Sequence, residues 1–285
     1  MIINIFSSLS FMLISICLLI SMASSNILVL WVLIEVSGFC LIYILLSSED
    51  NANISFSSFL FYLINGISSI LIISGVYFSS NVLIEFGMAS KFFMFPFSIA
   101  LFYIFNNVSW SAIFIIGSMF KIFIISLSNI VEVLFNWSLV YLTLLVCFLF
   151  ILFMSLNTKG VWFILNLSSS CVLFIGCIEL SNNIVWIILV LYLILSYANI
   201  QLLSNVDILN NSYIVSNNSI SINFLIYTVG FPLSINFVYK FTSVIVLLFT
   251  NNVMFMWIWS IYTIIETGYL FFYFSSILSS IKSLY

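Results

Sequence analysis

The 285-residue chain is apolar: 65% of its residues are hydrophobic and 5% are charged, with a mean hydropathy of +1.36. A soluble domain carries about 25% charged residues because its surface faces water, so this composition excludes a water-soluble globular protein. The net charge is −3 with five basic residues, and we expect no nucleic-acid partner. Histidine is absent, so proton chemistry must use carboxylates, lysines and water.

The apolar residues form long runs, as in VYLTLLVCFLFILFM at 140–154. Crossing a hydrocarbon core of roughly 30 Å takes about 20 helical residues, and these runs lack the alternation of a transmembrane barrel strand. The sequence therefore predicts an all-α polytopic membrane protein with one membrane domain over 1–285, whose first run is a permanent span. The predicted helices are 3–22, 26–47, 55–78, 82–105, 108–128, 134–155, 160–180, 184–203, 222–249 and 253–280, with helices one to five over 3–128 and six to ten over 134–280.

Charged residues are rare enough for each position to be informative. Four lie inside predicted spans: Glu35, Lys91, Lys121 and Lys240. Glu35 and Lys91 are each the tenth residue of a predicted span. The remaining charges are expected at loops, chain ends or helix ends: Glu49, Asp50, Glu85, Glu132, Lys159, Glu179, Asp207, Glu266 and Lys282.

The four charges within spans have two interpretations. A charge near the bilayer centre costs at least about 2.5 kcal/mol, so such residues usually face a protein interior or a wet cavity and mark ion or proton paths. In the first interpretation Glu35, Lys91, Lys121 and Lys240 form a proton relay, because burial favours neutral lysine and a nearby carboxylate favours the charged form. In the second, Glu35 forms a structural ion pair with one lysine while Lys121 and Lys240 extend toward the interface.

The two prolines, Pro96 and Pro232, each share a predicted helix with one of these lysines. Proline removes a backbone donor and breaks the helix, and Gly230 strengthens the second break. The two helices are five apart, so they would occupy corresponding positions in an inverted repeat of two five-helix halves. The alternative is two helix kinks with no repeat.

Cofactor motifs are absent from the sequence. The cysteines lie in apolar runs without C-x-x-C spacing, and no G-x-G-x-x-G motif follows a predicted strand. We therefore expect neither a cofactor nor a metal in this chain. The cysteines, read as packing residues, are Cys17, Cys40, Cys147, Cys171 and Cys177.

Five segments resemble the antiporter-like membrane subunits of respiratory complex I, in particular the short animal form of NADH dehydrogenase subunit 2. LWVLIEVSGFCLI resembles the helix that carries the glutamate, KFFMFPF keeps the lysine and proline, and SMFKIFI resembles the next lysine motif. LNLSSSCVLFIG is similar to the serine-rich helix, and VGFPLSINFVYKF to the later broken helix. The resemblance covers about residues 25–245 with the motifs in the same order.

The chain departs from this family at three positions. Phe93 stands where relatives commonly have a glycine, so the break there is expected to differ in geometry. Phe163 and Val172 stand near positions where relatives carry a basic residue and a histidine. On this interpretation, water or three serines would bridge the gap: Ser168, Ser169 and Ser170.

The resemblance implies a core membrane-arm subunit of the proton-translocating NADH:ubiquinone reductase in the mitochondrial inner membrane. NADH, FMN, iron–sulfur clusters and ubiquinone would be bound elsewhere in that complex. The implied partners are other membrane-arm subunits, supernumerary subunits and lipids. Glu35 and Lys91 would form a switchable ion pair, with Lys121 as central carrier and Lys240 as exit-side carrier. The alternatives are a stand-alone cation/proton antiporter and a purely structural membrane subunit.

Overall fold

The computed structural model describes residues 2–47, 52–131, 137–153, 157–212, 235–250 and 252–282, and this part of the chain is helical without a strand. Gly230 and Pro232 lie outside the described residues, as does the second predicted helix break. The helices are α1 (Ile2–Ala23), α2 (Ile27–Leu46), α3 (Ala52–Tyr77), α4 (Asn81–Lys91), α5 (Ser98–Asn107), α6 (Trp110–Phe114), a π-helical turn (Ile115–Met119), α7 (Phe120–Ser128), α8 (Trp137–Phe153), α9 (Thr158–Glu179), α10 (Asn182–Ser212), α11 (Ile235–Phe249) and α12 (Val253–Lys282).

Within the described residues, seven helical segments are long and apolar enough to cross a membrane. This finding confirms the predicted class, a helical multi-pass membrane protein. Two shorter apolar helices, Trp137–Phe153 and Asn236–Phe249, accompany them. The seven segments are Phe6–Ala23, Ile27–Leu46, Ala52–Tyr77, Trp110–Ser128, Thr158–Glu179, Asn182–Asp207 and Val253–Tyr273.

The surface of the helices suits lipid, since large apolar side chains such as Leu19 and Ile70 are exposed. Many serine hydroxyls are satisfied within their own helix: Ser37, for example, donates to the Ile34 carbonyl at 2.8 Å. In a bilayer a polar group without a partner costs several kcal/mol, by an order-of-magnitude estimate. These local bonds allow an apolar helix to carry serine without a partner on a neighbouring helix.

The chain divides into two compact units, Met1–Thr143 and Leu144–Tyr285, with the boundary inside α8. In the first unit α3 packs on α2, α4 and α5, and α1 packs on α2 and α7. Helices α3 and α4 lie close together at Gly87. A Cβ added there would lie 3.0 Å from the backbone nitrogen of Ile72. In the second unit α9 packs against α10 and α11, and α11 also contacts α12.

Candidate functional site

The fourth predicted helix is interrupted next to its lysine. Helix α4 ends at Lys91 and α5 begins at Ser98, with Pro96 in the intervening segment. Phe93 in this segment has a φ of 54°, in the left-handed region that favours glycine. Its side chain is buried and its ring stacks on Phe61 with the centroids 6.1 Å apart. The break thus places a phenylalanine in a conformation suited to the glycine that the resembled family commonly has there.

Lys91 is 7% exposed and its ammonium group is bonded to Asn65 of α3. The Nζ atom donates to the side-chain Oδ1 of Asn65 at 2.5 Å and to its main-chain oxygen at 3.2 Å. Both acceptors are neutral oxygens of Asn65, so the ammonium group is hydrogen-bonded but does not form an ion pair with a carboxylate. Asn65 was not among the residues predicted from the sequence, although an amide inside an apolar span requires a hydrogen-bond partner.

Glu35 interacts electrostatically with Lys91 without bonding to it in this conformation. Its Oε1 atom is buried and makes no hydrogen bond. Among the described residues, the ion pair with a nitrogen–oxygen distance below 4.0 Å is Lys240–Glu266, so Glu35 and Lys91 are farther apart than this limit. Gly38, one helical turn after Glu35, faces the same asparagine: an added Cβ would lie 2.5 Å from Asn65 Nδ2. Asn65 therefore fits beside α2 because residue 38 has no side chain.

Lys121 is also buried, at 3% exposure, and is the second residue of α7. Only Phe120 separates it from the π-helical turn Ile115–Met119, a feature that the sequence did not predict. Such turns occur frequently at functional sites because they shift the register of the side chains that follow. Ser118 in this turn donates a hydrogen bond to the Phe114 carbonyl.

The serine cluster of the second unit lies on α9. Ser168 donates to the Leu165 carbonyl at 3.1 Å, while Ser169 and Ser170 both donate to the carbonyl of Asn166, at 2.7 and 2.8 Å. Their hydroxyl protons are therefore engaged within the helix, which leaves their oxygens as acceptors. The Asn166 side chain in turn accepts from the Tyr192 hydroxyl at 2.7 Å. Phe163 and Val172 are fully buried.

Lys240 forms an ion pair with Glu266, with Nζ and Oε1 3.1 Å apart. Glu266 was expected near a helix end, and this expectation was wrong: it lies in the interior of α12 and is 3% exposed. Glu85 lies near the start of α4 as expected, but it is buried at 3% exposure and does not face solvent. Glu179, the last residue of α9, is exposed as expected.

A cavity adjoins the Lys240–Glu266 pair within the second unit, and its largely apolar wall carries several polar side chains. It is lined by residues of α9, α10, α11 and α12, including Ser168, Ser169 and Asn199. The space for the centres of water-sized molecules is about 30 Å³. One water needs roughly 10 to 15 Å³ on this measure, so the cavity has room for about two.

In the described part of the chain, no three residues of the types His, Cys, Asp and Glu lie close enough together to hold a metal ion. No protein-family model and no curated protein sequence matches the chain. The site is therefore characterised by its own geometry: lysines held by neutral or acidic partners inside apolar helices. Such an arrangement can move a proton when a lysine changes partner, because the partner determines which protonation state is favoured.

Proposed function

We propose that the chain is a core membrane-arm subunit of a proton-pumping NADH:ubiquinone oxidoreductase of the mitochondrial inner membrane. In this role it translocates protons through Glu35, Lys91, Lys121 and Lys240, and the electron transfer that drives the movement takes place in other subunits. The proposal joins the order of the five resembling segments to the burial of Lys91 and Lys121.

The observation that carries the proposal is the environment of Lys91. Its ammonium group is bonded to Asn65, and the nearby carboxylate of Glu35 has a buried oxygen without a hydrogen bond. A buried carboxylate oxygen with no donor is unfavourable, and the nearby cation can relieve this cost by moving toward it. Lys91 therefore has two available partners, one neutral and one acidic, and exchange between them changes the proton affinity of the lysine.

The proposal includes finer architecture. The membrane domain would have ten spans in two inverted halves, broken at Pro96 and at Pro232, with Gly230 beside the second proline. Such broken helices occupy corresponding positions in inverted-repeat transporters because the interrupted backbone lines the ion path. The chain itself would bind no NADH, FMN, iron–sulfur cluster or ubiquinone. Its partners would be the other membrane-arm and supernumerary subunits, together with lipid.

Native electrophoresis of the solubilised source membranes tests this proposal. The gel is stained for NADH oxidation, and the active band and all smaller species are analysed by mass spectrometry for peptides of this chain. The proposal predicts that the chain migrates in a large NADH-oxidising assembly. Recovery only in a small species without this activity would contradict it and favour a stand-alone cation/proton antiporter.

A further inference from the structure

The carboxylate of Glu266 lies opposite Lys240 in the second unit, at 3.1 Å. The pair is unlike a fully satisfied structural salt bridge. Lys240 Nζ is buried but makes no hydrogen bond, so the contact lacks the alignment that strengthens a bonded ion pair. The two side chains are also unequally covered, with 23% of the lysine and 5% of the glutamate exposed.

Further buried polar atoms without a hydrogen bond belong to residues that line the adjoining cavity. They include the indole Nε1 atoms of Trp162 and Trp259 and the side-chain oxygen of Asn199. Donors and an acceptor of this kind are the groups that hold buried water, which typically makes about three hydrogen bonds. The cavity has both the volume and the polar partners for a small water cluster next to Lys240 and Glu266.

We propose that Glu266, Lys240 and this cavity form a hydrated proton-transfer site in which Glu266 accepts a proton from the lysine. The step converts an ammonium and a carboxylate into an amine and a carboxylic acid, so one proton moves and the total charge of the pair is unchanged. The neutral amine can then take a proton from a hydronium ion that reaches the water cluster, and Glu266 returns to the carboxylate when it releases its own proton to these waters. This inference rests on the proposed function and extends it, because Glu266 becomes a proton-carrying carboxylate in addition to Glu35.

A purely structural role makes a different prediction. A permanent ion pair keeps Glu266 ionised at all times, whereas the transfer site passes through a state with a protonated carboxyl. N,N′-dicyclohexylcarbodiimide distinguishes the two because this apolar reagent enters membranes and modifies protonated carboxyl groups. The modified glutamate gains the mass of the reagent, which peptide mass spectrometry detects.

The full-length chain in lipid vesicles is treated with the reagent, as wild type and as the variants Lys240→Met, Lys159→Met and Glu266→Gln. We expect modification of Glu266 in the wild type and a several-fold increase in Lys240→Met, because the cation that favours the carboxylate is gone. Lys159→Met removes the same charge at the start of α9 and should leave the modification unchanged. Glu266→Gln should abolish it. As a positive control, denatured chain is treated with the reagent at acidic pH, where its carboxyl groups are protonated. This control shows that the modified Glu266 peptide can be detected.

Absence of Glu266 modification in the wild type would overturn the inference, whether or not Lys240→Met is modified. An equal increase in Lys159→Met would also overturn it, since the effect would not come from the pair. These outcomes are separate from the test of the proposed function. A chain that migrates with the NADH-oxidising assembly but is unmodified at Glu266 contradicts the inference alone, while a modified chain found only in a small species contradicts the proposed function.

Discussion

Asn65 is expected to control the partner of Lys91, and Asn65→Leu removes one of its two acceptors at similar volume. The lost bond, at 2.5 Å, is the shorter one, while the main-chain acceptor at 3.2 Å remains. A hydrogen bond to a charged group contributes about 1.5 to 3 kcal/mol, which corresponds to roughly a 10- to 150-fold shift toward the alternative partner. We therefore expect Lys91 to shift from Asn65 to Glu35 and to stay there, so that proton transfer slows.

The assay is the number of protons translocated per NADH oxidised by the assembled complex in vesicles. Asn53→Leu makes the same substitution at an exposed position at the start of α3 and should leave this number unchanged. Asn65→Asp keeps an acceptor and adds a negative charge, so it should hold Lys91 and also reduce pumping. The reasoning is refuted if both Asn65 variants assemble and pump as the wild type does.

Three further predictions concern the first unit. Lys121→Met and Glu35→Gln should leave assembly intact on native gels but reduce proton translocation, and an unchanged proton-to-electron ratio would exclude a role in the relay. Gly38→Ala should destabilise the chain by about 1 to 3 kcal/mol through overpacking, because the added Cβ lies 2.5 Å from Asn65 Nδ2 and this side chain is held in place by its bond to Lys91. Its thermal shift should shrink in an Asn65→Ala background, and simple additivity would contradict this contact. Phe93→Gly relieves about 1 to 2 kcal/mol of left-handed backbone strain but loses roughly 3 to 5 kcal/mol of buried packing. It should therefore lower the melting temperature, and an unchanged or higher value would show that strain dominates.

Composition and long apolar runs were sufficient to predict a helical membrane protein, because a chain with so few charges cannot form a water-facing surface. The burial of Lys91 and Lys121 follows from the same physics, since both lie within apolar runs far from predicted ends. The partners of these lysines were harder to predict. Asn65 on α3 bonds to Lys91 at the end of α4. This contact depends on how the two helices are rotated and shifted against each other, which the pattern of apolar residues does not determine.

Glu266 shows the same limit in the second unit. The predicted run 253–280 is longer than the roughly 20 residues that a span needs, so the sequence leaves open which part of it is buried. Pairing with Lys240 places Glu266 in the interior. The left-handed conformation of Phe93 was also not predicted from the sequence, because residues with a Cβ rarely adopt it. It depends on the packing of the phenyl ring against Phe61.

The most direct test of the proton-relay account is the proton-to-electron ratio of the assembled NADH-oxidising complex that carries Lys91→Met, beside a Lys159→Met control. Lys91 is buried against Asn65, whereas Lys159 is partly exposed at the start of α9. The account predicts that Lys91→Met assembles and oxidises NADH with fewer protons translocated per electron, and that the control matches the wild type. An assembled Lys91→Met complex with the wild-type ratio would contradict the account.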